Sequence, residues 1–154
     1  MTTSMILAQA ARESAGLDFL RRIAAGALPV PPMAETLGFR LVEVDEGRAL
    51  FAAVPGERHY NPIGVVHAGL AATLLDSAMG AAVQSMLPAG TGYTTLETKF
   101  NLVRPITAET GEILAEGTLL HGGSRVATAD GRVTRASDGK LLAHGTSTCL
   151  ILSG

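Results

Sequence analysis

Apolar positions along the chain change their period several times, and each change marks an element. Over residues 10–26, Leu17, Leu20, Ile23 and Ala24 recur at helical spacing beside Arg12, Asp18, Arg21 and Arg22, which predicts an amphipathic helix ending at Gly26. The Pro29–Pro32 segment breaks the chain, and a short helical turn around Met33–Leu37 leads into the first strand. Residues 1–37 therefore read as a docked helical arm, and residues 38–154 as the main domain. From Phe39 to Val54 two β-rich runs, FRLVEV and RALFAAV, flank the turn signal Asp45-Glu46-Gly47 and predict a hairpin. A polar loop over 55–65 (PGERHYNPIGV) then delivers the chain into His67–Met86, rich in Ala, Leu and Met. Leu70, Leu74, Leu75, Ala78, Met79, Ala82 and Val83 cover every face of this run, the pattern of a helix enclosed by other structure. Four β-rich stretches follow, near 93–104, 109–121, 125–136 and 140–152, separated by Arg104-Pro105, Gly122-Gly123 and Asp138-Gly139. One buried helix and about six strands predict an α+β fold in which a curved antiparallel sheet wraps the helix.

Composition narrows the partners. The 154 residues, 47% hydrophobic and 17% charged, suit one globular domain with a sizeable core. A net charge of −2 with no Lys/Arg cluster lacks the footprint of a nucleic-acid binder. The longest apolar stretch, within 62–83, is interrupted by His67, Thr73, Asp76 and Ser77, so no membrane span is expected. Cys149 is the only cysteine and the N-terminus shows no secretory pattern, which makes a reducing cytoplasm the default expectation.

Several chemistries find no support in the motifs. The nearest approach to a G-x-S-x-G elbow, HGGSRV at 121–126, falls on a predicted hairpin turn. His59, His67, His121 and His144 show no metal-ligand spacing, so no metal is expected, and Gly-rich phosphate loops are absent. Cys149 lies in an apolar strand without an activating neighbour.

What remains is Asn61, His67, Gly69 and Asp76, bridging the loop and the helix. An aspartate inside an apolar helix must be paired, protonated or exposed in a cleft, because burying it alone costs several kcal/mol. Either Asp76 meets a structural partner across an interface, or it does chemistry. If the helix starts near His67, the backbone N–H groups of Ala68 and Gly69 lie at its positive end, where an oxyanion could be held. Asp76 is then two turns away, about 10–13 Å along the helix. One helix cannot bring both groups to one carbonyl, but a symmetry-related copy could.

These residues also carry a resemblance. The segments HYNPIGVVHAGLAATLLDSAMG and GYTTLETKFNLVRPIT resemble hotdog-fold acyl-CoA thioesterases of the phenylacetic-acid-degradation (PaaI) type, with a weaker likeness over residues 38–152. The resemblance implies that the Ala68 N–H and the Asn61 side chain polarise a thioester carbonyl. It further implies that Asp76 of a partner subunit acts as general base or attacks directly, and that Thr95 places the water. His67 would shape the loop and contact substrate. Ala68 departs from the family's usual glycine, a change that keeps the N–H but adds a methyl where substrate approaches. Further substrate contacts are expected from His59 and Tyr60 at the pocket mouth, and from Arg104 and Arg125 on coenzyme A phosphates. Glu97 and Lys99 are expected on the same strand face as Thr95, as an interface ion pair. The expected substrate is an acyl-CoA, with no cofactor and with a homodimer at minimum, a tetramer being usual in the family. Two alternatives stay open: a hotdog-fold hydratase or dehydratase using His67, and an acyl-CoA-binding protein without turnover. The arm could cover the acyl pocket or protect a sheet edge.

Overall fold

A computed structural model describes all 154 residues. The helix expected over 10–26 is instead two, α1 (Thr3–Glu13) and α2 (Gly16–Ala24), with Ser14 and Ala15 extended between them. The break has a steric cause. A Cβ on Gly16 would fall 1.7 Å from the Gln84 carbonyl oxygen, and the Gly16 N–H donates to the Leu87 carbonyl at 2.9 Å. A glycine there lets the arm's backbone dock directly on the end of the central helix. The third arm helix, α3 (Pro32–Leu37), starts on proline and ends at Gly38 in the left-handed region, φ 72°.

The expected hairpin forms as β1 (Phe39–Asp45) and β2 (Arg48–Ala53). The central helix, α4 (Ala68–Gln84), is followed by β3 (Thr91–Leu102), β4 (Ile113–Gly122), β5 (Val126–Arg135) and β6 (Leu141–Ser153). All six strands lie in one antiparallel sheet, ordered β1-β2-β4-β5-β6-β3. β4 begins later than its β-rich composition suggests, because Ala108–Thr110 close a 3-10 turn in which the Thr107 N–H donates to the Thr110 hydroxyl.

The sheet wraps α4 because its concave face is lined by small side chains. Ala49, Ala53, Ala115, Ala127, Ala129 and Ala143 are all buried there. At Gly117 a Cβ would come 2.2 Å from the Ala78 carbonyl oxygen, so the helix backbone rests on the strand. Into this trough α4 inserts Leu74, Leu75, Met79 and Val83, each at most 1% exposed. The helix is not enclosed all round, as its composition suggested. Asp76 is exposed, and Thr73, Ser77 and Gln84 are half-buried. They form one stripe at i, i+3, i+4 spacing, facing the gap between the sheet's edge strands β1 and β3. The arm bridges the C-terminal part of that gap: α2 packs on β1, and α1 approaches β3.

Candidate active site

The loop before α4 is fixed by its own polar groups. Asn61 Oδ1 accepts from the N–H groups of Ile63 (3.1 Å) and Val65 (3.3 Å), an Asx turn around Gly64, whose φ is 85°. That arrangement spends the amide oxygen and leaves the Asn61 NH2 free to donate. His67 is the N-cap of α4. Its Nδ1 accepts from Gly69 N–H at 2.8 Å, and its backbone N–H donates to the His59 carbonyl. The Gly69 N–H is therefore occupied, whereas the Ala68 N–H has no acceptor within the chain. A Cβ at Gly69 would sit 2.9 Å from His67 Nδ1, so the cap requires glycine there.

His59 and Tyr60 hold the loop rather than line a mouth. His59 is buried; its Nε2 pairs with the Leu37 carbonyl at 2.8 Å, and its Nδ1 accepts from Gly56 N–H at 3.1 Å, tying the end of the arm to the loop. The Tyr60 hydroxyl accepts from Ala108 N–H at 2.9 Å and pins the loop to the turn after β3.

Asp76 lies two turns along α4 on the open stripe, about 12 Å from Ala68 at the helical rise. Its Oδ1 accepts from Thr95 Oγ1 at 3.0 Å and from Thr98 Oγ1 at 3.5 Å, both on β3. Of the options that the sequence left for Asp76, the structure takes exposure: the carboxylate is oriented by two hydroxyls and otherwise open to the gap. Thr95 and Thr98 are three residues apart and yet face one side, because a bulge between Thr95 and Glu97 shifts the register of β3 against β6. Strict alternation concealed Thr98 and misplaced two charges: Glu97 and Lys99 lie on the opposite face from Thr95. Glu97 there accepts from Thr148 at 3.1 Å and forms no ion pair with Lys99.

Tyr93 completes the β3 face and was not anticipated. A Cβ on Gly80 would lie 2.4 Å from the Tyr93 hydroxyl, so the missing side chain one turn beyond Asp76 makes room for the phenol. Burial, then the nearby Asp76 charge and the Cys149 sulfur, push the Tyr93 phenol well above its ordinary pKa. Burial also raises the Cys149 thiol, keeping it neutral and no candidate nucleophile.

Arg104 and Arg125 sit at opposite ends of the sheet. Arg104 donates to the Leu141 carbonyl at 2.6 Å beyond the end of β3, whereas the Arg125 carbonyl accepts from Ile151, the residue paired with Tyr93 near the start of β3. Roughly 25–30 Å of strand separates them, so one chain cannot bring both to a single phosphate group.

The thioesterase superfamily model matches residues 63–142, spanning α4 to the start of β6. Among solved structures, the chain is 31% identical to a candidate thioesterase related to phenylacetic acid degradation from Ralstonia eutropha, with a TM-score of 0.76 over 85% of this chain and 98% of that one. It is 27% identical to the phenylacetic acid degradation protein PaaI of Thermus thermophilus, solved as an Asn-to-Asp variant, with a TM-score of 0.70 over 78% of this chain and 98% of that one. A candidate esterase of Halobacterium salinarum is 35% identical over 86 residues, 54% of this chain; the chain spans about half the length of that relative. With the antiparallel sheet wrapped on one long helix, these matches place the chain in the thioesterase superfamily, as a PaaI-like thioester hydrolase of the hotdog fold.

Proposed function

We propose that the protein hydrolyses an acyl- or aryl-CoA thioester to a free carboxylic acid and coenzyme A, working as a homodimer at minimum. The observation that carries this reading is the Asp76 carboxylate, held by Thr95 and Thr98 on the open face of α4 while the Ala68 N–H stands unoccupied at its start. The 12 Å between them makes each site composite. The Ala68 N–H and the Asn61 NH2 of one subunit hold the thioester carbonyl, and Asp76 of the second approaches its carbon.

Asp76 takes a proton from water as that water attacks the carbonyl carbon. The developing oxyanion rests on the Ala68 N–H at the positive end of α4 and on Asn61. When the C–S bond breaks, coenzyme A leaves as the thiol, its proton returned by Asp76, and the acyl group leaves as the acid. Base, water-orienting hydroxyls and oxyanion donors all come from the chain, so the proposed reaction calls on no metal or redox cofactor. The single, buried Cys149 suits a reducing cytoplasm.

His67 does not favour a hydratase reading, because its Nδ1 already caps α4. The test is release of free thiol from phenylacetyl-, benzoyl-, hexanoyl- and lauroyl-CoA, comparing the wild type with Asp76→Asn. The expected result is wild-type turnover of at least one thioester and a loss of about a hundredfold or more in the variant, the magnitude of a lost general base. Binding without cleavage of any panel member would overturn hydrolysis.

A further inference from the structure

The gap between β1 and β3 is not empty of structure at its C-terminal end. There the arm closes over α4 and leaves an apolar cavity of about 500 Å³. Phe19, Leu20, Ile23 and Met33 of the arm form its roof, Phe39 and Phe51 one wall, and Ser77, Ala81 and Tyr93 the floor. A half-open apolar cavity of this size falls among ligand sites of about 300–1,000 Å³. Two of its polar groups, Ser77 and Tyr93, lie toward Asp76, while Gln84 stands at the far end and Arg40 at the border. Ser77 is the next residue along α4, and Tyr93 stands two residues before Thr95 on β3. Neither the Ser77 hydroxyl nor the Tyr93 hydroxyl donates or accepts a hydrogen bond within the chain.

Resting on the thioesterase reading, we propose that this chamber binds the distal part of the acyl group, so that the arm sets the chain length the enzyme accepts. An acyl group whose carbonyl lies at Asp76 runs along the open stripe of α4, past Ser77 and Ala81 to Gln84, a path of about 12 Å at the helical rise. Ten carbons, at roughly a water's share of volume each (~30 Å³), fill on the order of 300 Å³ and fit beneath the roof. The occupant is an unbranched, medium-length acyl chain. Walls of leucine, isoleucine and phenylalanine offer it no charge, and Arg40, the one charged residue bordering the cavity, is paired with Glu112.

The test uses the whole protein with butanoyl- and decanoyl-CoA. Ala34→Leu intrudes from the arm and Ala81→Leu from α4, while Met33→Ala, at an exposed roof residue, enlarges the space. The expected result is a fall of at least tenfold in the decanoyl-to-butanoyl ratio of kcat/KM in the Leu variants, and a shift of Met33→Ala toward dodecanoyl-CoA. Ratios within twofold of wild type in all the variants that fold would overturn the proposal. Should the Leu variants not fold, Met33→Ala alone decides. If the wild type cleaves no thioester, the functional reading fails but the chamber is still tested by calorimetric titration. Decanoyl-CoA binding at least tenfold tighter than butanoyl-CoA, with that margin changed in the folding variants, sustains it. Equal binding of the two refutes it.

Discussion

Single residues decide what the site can do. Asp76 would be a costly choice in an enclosed helix, and it is tolerable because α4 leaves one stripe open and β3 supplies two hydroxyls. That Asp76 needs a reason was legible from residue type alone, since an acid in an apolar run demands one, whereas the roles proposed for Asn61 and Ala68 came with the family resemblance. The contributions of Thr98 and Tyr93 were not legible, because one follows from a bulge and the other from the missing side chain of Gly80. Tyr93 makes a prediction of its own. Its folded pKa lies above the unfolded value of 10.0, so the stability it contributes is fully present below pH 10 and is lost as pH rises beyond that. Burial raises Cys149 in the same sense from 9.0. The melting temperature should therefore hold steady up to about pH 9 and decline above it, and Tyr93→Phe should flatten the decline. An identical alkaline profile in the two proteins would assign the loss to other groups.

Among the elements, the contact between α4 and β4 leaves no room for a side chain. Any side chain at Gly117 would run into the Ala78 carbonyl and the Met79 N–H, which are backbone atoms and cannot turn aside. Gly117→Ala should cost about 1–3 kcal/mol, as overpacked cores do, lowering Tm by several degrees in a thermal melt. Gly56→Ala, in open space at an extended φ of −148°, should leave Tm within about a degree. Element order and strand number could be read from hydrophobic period and turn residues, including the Asp45-Glu46-Gly47 hairpin, where Gly47 has φ 74°. The split of the arm helix could not. Residues 10–26 have a helical pattern throughout, and only the position of Gln84, far along the chain, makes Gly16 a place where the backbone must turn. The same holds for the middle of β3, where Glu97 and Lys99 looked like neighbours of Thr95 until pairing with β6 introduced the extra residue.

For the molecule as a whole, the composite site is the consequence that can be tested most directly. Ala68→Pro removes the N–H proposed to hold the oxyanion at N1, a helix position that accepts proline, and His67 before it already has extended angles of φ −59° and ψ 136°. This variant should fold and lose activity, as should Asp76→Asn. Co-refolded in equal amounts, the two inactive proteins should recover about a quarter of wild-type thiol release. Half of randomly assorted dimers are mixed, and each mixed dimer has one intact site of two. No recovery from properly mixed dimers would show that both groups serve the same subunit's site.

The docking of the arm adds a constraint in time. Arg12 and Gly16 are tied by backbone hydrogen bonds to Gly90 and Leu87. A ribosome synthesises the arm first and its anchor some seventy residues later, roughly 4–15 s at about 5–20 residues per second. Until α4 is made, Phe19, Leu20 and Ile23 lack the helix face over which they close. The nascent arm thus leaves the ribosome with apolar side chains uncovered, and the chamber cannot close until Leu87 and Gly90 have followed.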